Sequence, residues 1–140
     1  MNRRRGRKFG RRLVEAARSG AAGQVADLLR AGVDPDAVDV EGTTALYAAA
    51  VQNEVAVVRL LLAAGASPDR ESGHGTEGTP LCAAACWGHH ETVSALLAGG
   101  ADPGLREDHG LGRSPLTWAL LGPHPETVAV LRAAGARTDR

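Results

Sequence analysis

One unit of sequence recurs four times in phase, and no other feature limits the possible folds as tightly. Four Gly residues close Leu-rich stretches: Gly32, Gly65, Gly100 and Gly135, at spacings of 33, 35 and 35. Their contexts are LLRAGVDPD, LLLAAGASPD, ALLAGGADPG and VLRAAGARTD. A second marker keeps step with the first. TALYAA begins at Thr44, TPLCAA at Thr79 and SPLTWA at Ser114, each 21 residues before its closing Gly. The first copy starts near Arg11, keeps the spacing of Leu13, Ala16 and Ala17, and lacks the Thr-Pro opening. A period of this size marks a stack of small units, none of which buries its apolar face alone.

Each unit reads as two short helices. Leu46, Ala49 and Ala50 recur at helical spacing, and Val57, Val58, Leu61 and Leu62 do so after a break at Asn53. Thr44 and Thr79 suit N-caps, Pro80 and Pro115 suit the first helical position, and Gly20 and Gly88 suit helix ends. The 26 Ala, 16 Leu and 12 Val come with no Ile and four aromatics, a composition that favours helices and speaks against an all-β fold. Segments between copies are rich in Gly, Pro, Asp and Ser and read as turns.

These residues resemble an ankyrin-repeat array. The family pattern is roughly G-x-T-P-L-H-x-A-A, then G-H-x-E-V-V-x-L-L-L, then G-A-D. The third copy, GTPLCAAACWGHHETVSALLAGGADP, follows it closely. The resemblance covers residues 11–140 and implies an all-α solenoid of helix-turn-helix units with hairpin-like finger loops. Repeats are expected over about 11–36, 37–69, 70–104 and 105–139. The His of the T-P-L-H tetrapeptide, which in the family bonds neighbouring loop backbone, is replaced by Tyr47, Cys82 and Thr117. Tyr47 and Thr117 retain hydroxyls for that role, whereas Cys82 is a weak donor. Copies three and four follow linkers two residues longer than the pattern. Polar residues mark the end copies: Gln24 and Asp27 in the first, Arg132 in the fourth, each aligned with an apolar or small inner residue. Water covers the ends of a stack, so the array is expected to be complete at four repeats.

Charge is distributed unevenly. Residues 1–12 hold Arg3, Arg4, Arg5, Arg7, Lys8, Arg11 and Arg12 and no acid. Residues 13–140 hold 9 basic and 16 acidic residues, a net of −7. Residues 1–10 are expected to be a disordered basic arm, with Arg3, Arg4, Arg5, Arg7 and Lys8 as the residues for an alternative function, contact with nucleic acid or an anionic surface. Phe9 stands alone there, without the aromatic interleaving of a single-strand binder. Two cysteines form no disulfide framework, and no apolar run is long enough to span a membrane, so a reducing cytoplasm is expected.

Catalytic and cofactor motifs are weak. Residues 73–78 spell G-x-G-x-x-G, but a helical run precedes them where a dinucleotide fold has a strand. Cys82, Cys86, His89 and His90 have a metal-like spacing, yet each fills a repeat slot. No Ser lies in a nucleophile elbow. No catalysis, cofactor or metal is expected.

The resemblance therefore implies a protein-interaction module, acting as a monomer through the concave helix face and the finger loops. Trp87 and Cys86 end the first helix of copy three; Val51, Gln52 and Leu121 occupy equivalent slots. An exposed Trp there is the kind of anchor that dominates interface energies. The longer fingers add Arg70, Glu71, His74, Arg106, Glu107, His109 and Arg113 as a rim. Trp118 holds a different slot and is expected to pack between repeats.

Overall fold

The computed structural model describes residues 3–137, and side chains from residue 6 onward. The described residues form helices α1 (Arg3–Arg18), α2 (Ala22–Arg30), α3 (Ala45–Val51), α4 (Val55–Ala63), α5 (Pro80–Trp87), α6 (His90–Ala98), α7 (Pro115–Leu121) and α8 (Pro125–Ala133). Local chemistry sets the starts of the first helices in copies two to four. The Thr44, Thr79 and Ser114 side chains accept from the backbone N–H groups of Tyr47, Cys82 and Thr117, satisfying donors that a helix start leaves open. Pro80, Pro115 and Pro125 open their helices, where the missing N–H costs nothing. Gly88 ends α5 in the left-handed region.

The helices form two layers. α1, α3, α5 and α7 pack in sequence as one, and α2, α4, α6 and α8 as the other. Leu13, Leu46, Leu81 and Leu116 from the first layer meet Val25, Leu61, Leu96 and Leu131 from the second in one core. The many Ala residues at these faces, such as Ala49 and Ala84, are fully buried and let the layers approach closely. Gln24, Asp27 and Arg132 are exposed, as polar residues on terminal faces should be. The fingers are nearly all turn. Their strand-like pairing among the described residues is limited to isolated antiparallel bridges, Val38 with Thr44 and Ser72 with Gly78.

Side chains from each copy hold the copy before it. His89 Nε2 lies 3.0 Å from the Val51 carbonyl, and His124 Nε2 lies 2.9 Å from the Cys86 carbonyl. Each imidazole N–H thereby satisfies a carbonyl left open at a helix end. Fully buried Ser72 donates to Glu77 Oε1 at 2.9 Å and accepts from the Thr44 N–H at 3.0 Å. Glu77 Oε1 also accepts from Thr43 at 2.7 Å, so one carboxylate ties two fingers. Of the tetrapeptide side chains, Cys82 reaches the next finger, with Sγ 3.6 Å from the Arg113 carbonyl. Thr117 instead accepts locally from Ser114 Oγ at 3.2 Å. The weaker donor spans repeats because it is buried directly beneath that finger.

The N-terminus departs from expectation. Residues 3–10, read from sequence as a disordered arm, continue α1 as helix. Repulsion among the basic residues and a first turn without an acid both oppose this helix. Tertiary contacts favour it: Phe9 packs on the core, and Gly10 is buried against the next finger. A methyl group at Gly10 would sit 2.3 Å from the Val38 carbonyl oxygen, whereas one at Gly6 would meet nothing within 4 Å. Gly6→Ala should therefore stabilise the chain by up to about 1 kcal/mol through helix propensity. Gly10→Ala should destabilise it by roughly 1–2 kcal/mol, because the clash outweighs the same propensity gain. Urea melts of the two variants check the opposite signs. The side chains of Arg3, Arg4 and Arg5 lie outside the described residues.

Candidate functional site

We call the exposed flank of the α1–α3–α5–α7 layer, beside the fingers, the trough. Its floor follows from helical spacing. Arg18, Val51, Cys86 and Leu121 occupy one register position, and Ser19, Gln52, Trp87 and Gly122 the next. Val51 and Cys86 are half-buried, and Gln52 is exposed. Trp87 is 63% exposed and Leu121 60%. The five helix residues singled out from sequence thus lie together at the C-terminal ends of α3, α5 and α7. Trp87 stands off the core, because α5 ends there and Gly88 turns the chain away.

The other aromatic does something different. Trp118 is half-buried, and its indole N–H donates to Glu107 Oε1 at 2.8 Å. The Arg113 guanidinium lies 4.9 Å from the Trp118 ring centroid. Trp118 therefore binds its own repeat's finger as well as packing against the core, and it shares a groove with Glu77 and Gly78 of the preceding repeat. The acidic partner is eleven residues away across a turn, so the sequence does not display the pair.

The finger residues split into two groups. Arg70, Glu71, His74, Arg106 and His109 line a groove of about 580 Å³ with Asp69 and Leu105. The His109 N–H donates to Glu71 Oε1 at 2.7 Å, and Arg70 donates to the Asp36 carbonyl at 2.9 Å. Glu107 and Arg113 instead line a second groove of about 590 Å³, with Glu77, Asp108 and Trp118. The finger turns at Glu107, which separates its side chain from that of Arg106. The rim read from sequence as one surface is two. His74 and His109, one repeat apart, both adopt positive φ, 56° and 53°. Each ring covers a Gly of the preceding finger, Gly42 and Gly75.

Sequence reasoning overlooked Glu77, Val40 and Leu111. Val40 and Leu111 are 83% and 81% exposed at finger tips, and their signal was a lone apolar residue in a turn. Burial raises the Tyr47 hydroxyl's pKa, and the nearby Glu77, Glu107 and Cys86 raise it further. Glu107 is raised first by burial, then by Glu71 and Asp108, against the lowering effects of Trp118 and Arg113. A carboxyl with a raised folded pKa loses stability as pH climbs from the unfolded value through the folded one. Glu107→Gln keeps an acceptor for Trp118 and removes the charge. The variant should be more stable than wild type at pH 7, and the difference should disappear below the ordinary carboxylate range. Urea midpoints across pH measure this.

Residues 73–78 form a finger containing one 3₁₀ turn, Gly73–Gly75, before α5. Among the described residues, no three His, Cys, Asp or Glu groups are placed to hold a metal ion. Cys82 is buried and Cys86 half-buried, and neither is in a disulfide. No helix among the described residues is long and apolar enough to cross a membrane.

Paired helices in two layers, fingers over one layer and a unit repeated in phase all agree with one family. The family model described as "Ankyrin repeats (3 copies)" matches residues 13–107 and again residues 70–140. The chain belongs to the ankyrin-repeat family. Ankyrin repeats are in general protein-interaction modules. No curated protein sequence matches the chain significantly.

Proposed function

We propose that this ankyrin-repeat chain is a non-catalytic module that binds a partner protein in the trough between the first-helix layer and the fingers. One observation carries the reading: a Trp and a Leu, 63% and 60% exposed, stand at the C-terminal ends of adjacent helices. Covering such a pair removes apolar surface from water and lowers the free energy. Cys86 and Val51 extend the apolar floor, Gln52 adds a polar group, and the two finger grooves supply charged walls. Arg70, Glu71, His74, Arg106 and His109 serve as an outer rim, with Glu107 and Arg113 nearer the floor. The module works as a monomer in the cytoplasm.

Affinity capture from nuclease-treated lysate tests this reading against the basic-arm alternative. Wild type, Trp87→Arg and the double variant Arg7→Glu/Lys8→Glu are run in parallel and read by mass spectrometry. A protein retained by wild type and the double variant, and lost with Trp87→Arg, is the expected result. Retention by Trp87→Arg with loss in the double variant would move the function to α1.

A further inference from the structure

The trough is apolar at one end and acidic at the other. Trp87 and Leu121 mark the C-terminal ends of α5 and α7. At the N-terminal ends of the same helices, the second finger groove is lined by Glu77, Glu107 and Asp108, with Arg113 as its one cationic wall residue among those described. Arg113 already lies over the Trp118 ring. Glu107 gives one oxygen to Trp118, and Glu77 gives one to Thr43 and Ser72. Glu77 and Glu107 are half-buried, and Asp108 is exposed. Burial and neighbouring acids disfavour the Glu107 charge, so a cation arriving there relieves repulsion. The body's net of −7 over residues 13–140 would also draw cationic segments toward it.

Spacing narrows the partner further. An eight-residue helix is about 12 Å long. An extended peptide rises about 3.3 Å per residue, so the two ends lie three or four peptide residues apart.

We propose that the partner presents an extended segment with a bulky apolar side chain and, three or four residues away, a Lys or Arg. The apolar side chain seats against Trp87 and Leu121, and the cation meets Glu77, Glu107 and Asp108. This rests on the trough being the binding face, and it adds the chemistry of what binds.

Panning a phage-displayed random twelve-residue peptide library on the immobilised full chain tests it. Wild type, Trp87→Ala and Glu107→Gln/Asp108→Asn are compared. Peptides that need Trp87 should carry Lys or Arg three or four positions from Trp, Phe or Leu. Their affinity should fall about three- to tenfold on the double variant, and should weaken as salt rises. Trp87-dependent peptides without that cation, or indifferent to the double variant, would overturn the proposal and leave the trough reading standing. An absence of Trp87-dependent peptides would overturn both. Trp87-dependent self-association of the chain, seen by sedimentation, would place a second copy's Arg-rich segment in the trough and overturn the foreign partner.

Discussion

Leu96→Ala should cost about 3–4 kcal/mol, enough to remove a large part of the stability of a domain this size. Leu96 is fully buried in α6, which packs against α4 on one side and α8 on the other. Truncation leaves a cavity whose walls are short helices already in contact with Ala-rich neighbours. Those walls cannot close without drawing adjacent repeats out of register. Leu28, its counterpart in the first copy, is only half-buried. Leu28→Ala should cost roughly half as much. Urea denaturation of both variants measures the ratio. Equal losses would mean that the partial exposure of Leu28 does not lower its contribution.

Trp87→Arg should weaken the partner's affinity at least about a hundredfold, with helix content unchanged. Covering a 63% exposed indole removes roughly 150 Å² of apolar surface from water, worth roughly 4 kcal/mol before the costs of association. Arg keeps some of that stem area and loses the rigid ring. It also places a cation beside the apolar end of the trough, where the partner's bulky side chain would have to desolvate it. The side chain stands off the core, so folding has no stake in it. Calorimetric titration of the captured partner gives the ratio, and circular dichroism gives the helix content.

The architecture was legible because repetition multiplies weak signals. A single TPLCAA is a poor predictor, but three such segments at a fixed distance from a Gly leave few alternatives. Caps were readable for the same reason: Thr44, Thr79 and Ser114 are local devices that need only their own helix. Contacts between units were less readable. The N-terminal helix depends on Gly10 meeting Val38, residues that no local rule connects. The rim residues are adjacent in sequence, but an irregular finger sends Arg106 and Glu107 into different grooves. Trp118 showed its size and not its partner. Trp87 was legible because a large aromatic at an outward register position has nothing of its own chain to cover it.

Side-chain pairs also explain where equivalent positions diverge. Thr92 is buried and donates to Asn53 Oδ1 at 2.8 Å. Thr127, its counterpart one repeat on, is equally buried and has no hydrogen-bond partner among the described residues. The residue aligned with Asn53 is Gly88, which has no side chain to offer. The aligned Thr thus brings different energetics to the two copies, because its partner comes from the preceding repeat.

The central claim is that protein binds in the trough. Hydroxyl-radical footprinting of the full chain, alone and with its captured partner, tests that most directly. Trp87, Leu121 and Cys86 should be protected in the complex, while Phe9 in α1 keeps its reactivity. Protection confined to Phe9, or to side chains of the α2–α4–α6–α8 layer, with Trp87 as reactive as in the free chain, would contradict it.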